Sequence, residues 1–298
     1  MFRAEEKIAV IGLGRLGSAL LKALYKNHYL IHALIDQNLS LTRKIGAIVN
    51  AEISSNNIFE LDKVDIIFIS VPDDEVVTVV SDLKIHLEQR NFSKFIYHTS
   101  GVLTSDVLNP LKEFHIACAS FHPIQTFSGN DDDWKKFQNC YFGTEGDSVA
   151  IEKASQIIND LKGHQIIVPK ELKPVYHLAC IMASNYMVSL MVPVIEIFKK
   201  MKYSEQEALK ILFPILSTTL TNLRNHGIEK SLSGPILRGD IGTIEKHLEI
   251  LSTEFPFYKS IYQQLAQIVL ELKSVREKLS SEKYEAIMQL VNERRTQS

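Results

Sequence analysis

The sequence predicts an α/β fold: a doubly wound, mostly parallel sheet in the N-terminal part, followed by an all-α C-terminal domain. Three observations carry that expectation. Apolar runs alternate with helical-period segments through the first ~170 residues, the pattern of βα units feeding a parallel sheet. A glycine-rich turn joins the first apolar run to the first helical segment. From Glu171 onward strand-like alternation stops and long helical patterns replace it.

Taken in order, strands are expected at 7–11, 30–35 and 65–71, with a short one near 48–53, and helices at 15–27 and 39–46. Pro72 stops the 65–71 run. Asp73 or Asp74 can then cap a helix reaching about residue 89, because a carboxylate accepts the orphan N–H groups of a first turn. Further strands are expected at 94–98, 116–121, 140–143 and 165–168, with a helix over 148–161 that Gly163 closes. Pro169 ends the alternation, and helical patterns run over 171–201, 204–226, 240–252, 256–278 and 281–294. The predicted division is therefore 1–169 for the sheet domain and 170–298 for the helical one, with no repeat, low-complexity tract or Gly/Ser-rich linker between them.

Composition narrows the partners. Thirty-three Lys and Arg nearly balance 35 Asp and Glu, which leaves no strong field for nucleic acid or an anionic membrane surface, so a small diffusible substrate is expected. Cys118, Cys140 and Cys180 are odd in number and lack CxxC spacing, which argues against a disulfide framework or a zinc site and for a reducing cytoplasm. The first residues run from charge straight into a strand and leave no room for a signal peptide. The uncharged stretch 178–195 has the length of a membrane span. It contains Ser184, Asn185, Ser189 and Pro193 and lacks an anchoring belt, so a buried core helix is the expected reading.

The turn Gly12-Leu13-Gly14-Arg15-Leu16-Gly17 follows the strand KIAVI and opens a helix, the setting in which this spacing binds a dinucleotide. Gly12 permits a tight turn, Gly14 lets backbone N–H groups approach a pyrophosphate, and Gly17 lets the helix pack on the strand. The helix N-terminus adds partial positive charge. This is the signature of a Rossmann-type domain. Asp36, nineteen residues after Gly17 at the end of the second strand, can accept hydrogen bonds from the adenosine ribose and so favours NAD over NADP, although Arg15 or Arg43 can offset its repulsion of a 2′-phosphate and the carboxylate can equally be a strand-end turn residue. Val71 and Pro72, at the end of the fourth strand, join the cofactor-binding set. Flavin would need binding elements that are not found.

The candidate chemistry lies at strand ends. His98-Thr99-Ser100-Gly101 stands where open sheets place ligands; Ser100 can grip a substrate carboxylate or the cofactor amide, or simply cap a helix beginning near Thr104. His122, held by Pro123, is the first choice for acid–base work, with a satisfied surface histidine as the bland reading. His177 and Ser184 share a face of the first long helix, with Asn185 beside them and Lys173 one turn before; they either line the cleft or satisfy hydrogen bonds in a core. Arg238 offers a planar fork to a carboxylate or phosphate, or pairs with Asp240, which itself can cap the next helix. No ligand spacing supports a metal among His98, His122 and His177.

With these residues assembled, the chain resembles a family of oxidoreductases that carry a Rossmann-like domain followed by a C-terminal domain of unknown function, DUF2520. The resemblance rests on GLGRLG, SVPD, HTSG, FHPIQTF, YHLACIMASNY, the TNL segment at 221–223 and GPILRGD. The group is distantly similar to β-hydroxyacid dehydrogenases, pyrroline-5-carboxylate reductase and F420-dependent NADP oxidoreductases. It implies NAD or NADP binding with F420 not excluded, helices of the kind in the C-terminal domain of 6-phosphogluconate dehydrogenase, a homodimer formed through them, and a cleft holding Ser100, His122, His177, Asn185 and Arg238. Two departures stand out. Where β-hydroxyacid dehydrogenases have a catalytic Lys followed four residues later by Asn, this chain has Lys173 and His177. Where relatives carry a Ser-Arg-Ser type sequence suited to NADP, it has Asp36-Gln37-Asn38.

Two functions follow from the sequence. The leading one is an NAD(P)-dependent oxidoreductase moving hydride to or from a small carbonyl, imine or alcohol that bears a carboxylate. In it His122 or His177 handles the proton, Ser100 and Asn185 orient the substrate, and Arg238 holds its anionic end. The alternative is a non-catalytic dinucleotide-binding sensor or regulator, since fold alone does not establish chemistry.

Overall fold

The computed structural model describes residues 6–89 and 93–292, which form two compact units dividing between Met187 and Val188. Residues 1–5 of the 1–12 stretch from which no signal peptide is expected, and the last two residues of the helix expected over 281–294, lie outside the described residues.

In the first unit, β1 (Lys7–Ile11) passes through the glycine turn into α1 (Arg15–Lys26), followed by β2 (Leu30–Ile35), α2 (Leu39–Val49), β3 (Ile53–Ser55) and β4 (Ile66–Ile69). Then come α3 (Val76–Gln89), β5 (Phe95–His98), a 3-10 segment (Ser105–Phe114), β6 (Ala117–Pro123), β7 (Tyr141–Gly146), α4 (Ser148–Asp160) and β8 (His164–Ile167). The eight strands form one sheet of order β3-β2-β1-β4-β5-β6-β7-β8. All neighbours are parallel except β6 and β7. The winding reverses between β1 and β4, which opens a crevice at the carboxyl ends of the strands.

Alternate strand residues point to opposite faces of the sheet. Ile8, Val10, Phe68, Tyr97, Phe121 and Phe142 pack with Leu20, Leu24 and Ile157 on one side. Ala9, Ile11, Ile67, Ile69, Ile96 and Cys118 pack with Val80 and Leu83 on the other. Both faces are covered, which explains why these strands read as continuous apolar runs.

The helical part begins with α5 (Lys173–Lys200), whose first turns belong to the first unit. It continues through α6 (Glu205–Ser231), α7 (Pro235–Arg238), α8 (Ile241–Thr253), α9 (Lys259–Leu270), α10 (Lys273–Lys278) and α11 (Ser281–Asn292). The second unit has its own core of Ile244, Leu248, Ala266, Leu270, Val275, Ile287 and Val291. Ser204 and Glu207 form a capping box at the start of α6. Asp240 caps α8 by accepting the Thr243 N–H at 3.2 Å, the role expected for it.

Several local expectations are corrected. The short third strand lies at Ile53–Ser55, beyond the end of a longer α2. The residue in the left-handed conformation after α4 is Lys162, and Gly163 is instead needed for close packing, since a Cβ there would come within 2.6 Å of the Phe142 ring. The 204–226 pattern does not stop before Gly227; the chain kinks there at φ +74 and continues helical to Ser231. The 256–278 pattern breaks at Leu272, whose extended backbone separates α9 from α10. The helix expected to be buried at 178–195 is not buried within one chain. Leu178, Met182, Tyr186, Val188 and Val192 are each more than half exposed. The 170–200 helix is long and apolar enough to cross a membrane, with 6% of its most apolar window buried. It is apolar on all sides, and one neighbouring surface covers only one of them.

Candidate active site

The glycine turn is fixed from both sides. Gly12 has φ +92 and donates its N–H to the Ile35 carbonyl at 2.8 Å, and a Cβ on it would meet the Ser70 carbonyl oxygen at 2.5 Å. A Cβ on Gly17 would collide with the Gly12 carbonyl. Gly14 differs, because a Cβ there would meet nothing. It caps α1 beneath open space, the room a pyrophosphate needs at a helix N-terminus. Asp36 ties β2 to this turn: one carboxylate oxygen accepts the Leu13 N–H at 2.6 Å and the other the Asn38 N–H at 2.8 Å.

Two cavities meet over the turn. One, of about 610 Å³, extends past Gly12, Asp36, Asn57, Phe59 and Glu75. The other, of about 440 Å³, is lined by Arg15, Leu16, Thr99, Ser100, Gly101, His122 and His177. Gly14, Ser70, Val71 and Pro72 line both. A ligand with two halves joined at a pyrophosphate fits this layout.

The smaller cleft is built on four adjacent strand ends, those of β1, β4, β5 and β6, and the first turns of α5. After β5, the Thr99 N–H donates to the Ile69 carbonyl at 3.0 Å, and the Ser100 hydroxyl oxygen accepts the Leu103 N–H at 3.0 Å. Ser100 lines the cleft, and its hydroxyl closes the turn to Leu103 instead of capping the segment that begins at Ser105, whose N-cap is Thr104. A Cβ on Gly101 would stand 2.8 Å from His122 Nε2 and would collide with the His177 ring, so this glycine makes room for two imidazoles. Their ring centroids lie 5.9 Å apart. Nδ1 of His122 hydrogen-bonds the Tyr176 hydroxyl at 2.6 Å.

Behind these groups runs a buried polar row. His98, Ser120 and Glu145 are successive cross-strand neighbours on β5, β6 and β7. Glu145 accepts the Ser105 N–H at 2.6 Å, the Ser105 hydroxyl at 2.8 Å and the Lys173 ammonium at 3.1 Å. Lys173 and Glu145 are both almost wholly buried. Burial draws the Lys173 ammonium down to about 8 against the opposing pull of Glu145. Burial likewise draws His122 down to about 4, with His177 and Lys173 adding to the effect. It draws His98 down to about 3, Lys173 adding and the Thr104 backbone opposing. Neither ring nitrogen of His98, nor the Ser120 hydroxyl, has a well-formed hydrogen bond. His98 and His122 are thus neutral imidazoles at physiological pH.

Of the residues singled out in the sequence, Ser100, His122 and His177 converge on one cleft, with Arg15, Leu16, Val71 and Pro72 along its wall. Asn185 does not line it; it is exposed on α5, eight residues and about 12 Å along the helix from His177. Arg238 is exposed at the end of α7 in the other unit, where its charge acts on Asp240. Tyr176, Glu145, Ser105 and Gly143 were not foreseen. A carboxylate inside the apolar strand YFGTEG was the available signal for Glu145, and the helical spacing of Lys173, Tyr176 and His177 the signal for the pair on His122. Among the described residues no group of three or more His, Cys, Asp or Glu side chains is arranged to hold a metal.

Comparison with known proteins agrees with this architecture. Residues 2–123 match the Rossmann-like domain and residues 140–269 match DUF2520, a domain of unknown function. No curated protein matches the chain. Among solved structures, a protein of Bacteroides fragilis named as a putative NADP oxidoreductase is similar at 20% identity, covering 89% of this chain and 97% of that one with a TM-score of 0.71. A protein of Thermotoga maritima is similar at 23% identity, covering 93% and 99%, with a TM-score of 0.68. An imine reductase of Myxococcus stipitatus, solved with NADP+, is similar at 15% identity over 95% and 98%, with a TM-score of 0.63. These likenesses are likenesses of fold; the two matched segments give the chain a Rossmann-like domain followed by a DUF2520 domain.

Proposed function

We propose that the protein is an NAD(P)-dependent oxidoreductase acting on a small carbonyl, imine or alcohol that carries a carboxylate. The observation that carries this reading is the pair of cavities joined over Gly14, with His122 and His177 at the far end of the second. A bound reduced nicotinamide supplies the hydride. His122 makes the polar contact to the reacting atom, with His177 beside it as the rival, and Ser100 orients the substrate from the turn after β5; Asn185 and Arg238, which do not line the cleft, have no part in this reading. Removing the His122 contact should cost roughly a hundredfold or more in turnover.

NAD is the preferred cofactor on this reading. The larger cavity is lined by Asp36, Glu75 and Asp82 and, among the described residues, by no Lys or Arg, so a 2′-phosphate would meet only negative charge there. The NADP bound by the imine reductase argues the other way, which makes the question experimental. Calorimetric titration with NAD, NADH, NADP and NADPH decides it: tighter binding of the NAD pair, lost in Asp36→Ala, supports the reading, and binding of none of the four sinks it and turns attention to F420. The exposed apolar sides of α5 support a homodimer formed through the helices; the near-balance of 33 Lys and Arg against 35 Asp and Glu supports a cytoplasmic protein without a membrane or nucleic-acid partner.

A further inference from the structure

His122 closes β6, and its neighbour across the antiparallel ladder is Gly143 on β7. A Cβ at 143 would stand 2.5 Å from the Tyr176 hydroxyl. The missing side chain is therefore what lets a phenol from α5 lie over β7 and reach Nδ1 of His122 at 2.6 Å. The opposite nitrogen, Nε2, is directed at Gly101 on the cleft wall, where a Cβ would come within 2.8 Å of it. Two glycines in separate segments thus clear the two ends of one phenol–imidazole pair.

The chemistry fixes the direction of the bond. A phenol O–H is a better donor than an imidazole N–H, and a neutral imidazole nitrogen is a better acceptor than a phenol oxygen. Burial keeps both groups neutral, pushing Tyr176 up and His122 down. Cys180, one turn along α5, lies against the same phenol; burial pushes its thiol up, and a neutral thiol sulfur is a weaker acceptor for the Tyr176 hydroxyl than Nδ1 is. The Tyr176 proton is then given to Nδ1, and the proton of the imidazole itself is on Nε2.

We propose that Tyr176 is a positioning residue that donates to His122 Nδ1 and holds His122 as the Nε2–H tautomer facing the cleft, and that the reacting atom of the substrate is accordingly a hydrogen-bond acceptor, a carbonyl oxygen rather than a protonated imine nitrogen. The second half rests on the oxidoreductase reading; the tautomer does not. When hydride adds to the carbonyl carbon, the π pair of the C=O bond moves to oxygen. His122 Nε2–H donates to that oxyanion, and water gives the proton that completes the alcohol, leaving hydroxide. A protonated imine nitrogen has no lone pair to offer and would set a second donor against Nε2–H.

The test is long-range proton–nitrogen NMR of the full-length protein labelled at histidine, free of cofactor, at neutral pH, with His122→Gln used for assignment. The expected result is a single Nε2–H tautomer for His122. A mixture should appear in Tyr176→Phe and in Gly143→Ala, which keeps the phenol but pushes its hydroxyl aside. An Nδ1–H tautomer in the unsubstituted protein, or a Tyr176→Phe variant with unchanged tautomer, overturns the proposal. In turnover, Tyr176→Phe should lower kcat for a carbonyl substrate about tenfold, the loss of one positioning hydrogen bond, with cofactor KM unchanged. Reduction of a protonated cyclic imine as fast as its carbonyl analogue overturns the substrate assignment. The expected tautomer with no turnover of any carbonyl leaves the Tyr176–His122 pair standing and overturns the oxidoreductase reading instead.

Discussion

Acid should unfold this protein early, and His98 is the group that makes the effect measurable. Its side chain is fully buried and its imidazole is held neutral, drawn down to about 3. In the unfolded chain the same imidazole titrates near 6.5, so between these values the unfolded state binds a proton that the native state refuses. The contribution is therefore fully present above about pH 6.5 and is lost as pH falls toward 3. From pH 7 to pH 5 the loss from His98 alone is about 2 kcal/mol, a sizeable part of a typical stability of 5–15 kcal/mol. His122, drawn down to about 4, acts in the same direction. The assay is urea unfolding at a series of pH values on the unsubstituted protein and on His98→Leu. Because neither ring nitrogen has a well-formed hydrogen bond, the leucine variant should be close to the parent in stability at pH 7 and fall less steeply toward pH 5. Parallel stability curves for the two proteins would refute the assignment of a buried neutral imidazole.

Two further outcomes are expected. Lys173→Met leaves the Glu145 carboxylate buried with its Ser105 donors but no cation, and should lower unfolding stability by about 3–5 kcal/mol in the same urea assay; a loss under 1 kcal/mol would contradict a buried ion pair between Lys173 and Glu145. The exposed apolar sides of α5 should pair in solution, so light scattering should give the mass of two chains, and a single-chain mass at micromolar concentration would contradict the homodimer.

What was legible in the sequence had a local cause. KIAVI followed by GLGRLG defines a strand, a turn and a helix within a dozen residues, and every part of that reading is present in the structure. Ser100 and His122 could be found because strands in a parallel sheet end on one edge, so a polar residue after an apolar run lands at the crevice. The unread parts depend on contacts between distant segments. Nothing in YFGTEG states that β7 runs antiparallel to β6, since an apolar run reads the same in either direction. Tyr176 looks like one more apolar residue on an apolar helix until Gly143, thirty-three positions earlier, is known to lie beneath its hydroxyl. The 3-10 segment Ser105–Phe114 has Pro110 inside it and carries a spacing that suits no regular template. The exposed sides of α5 lie beyond what single-chain periodicity can settle, because an all-apolar helix looks the same whether it is covered from within or left bare.

The buried pair of Lys173 and Glu145 bears on how such a chain can be inherited. A break made at Pro169, where the strands end, would remove the only described cation on Glu145 and the phenol on His122 while leaving the glycine turn whole. The fragment upstream would keep the turn and leave Glu145 and His122 without these partners. An exchange of helices made downstream of Tyr176 therefore keeps this buried cluster whole, and one made at Pro169 does not.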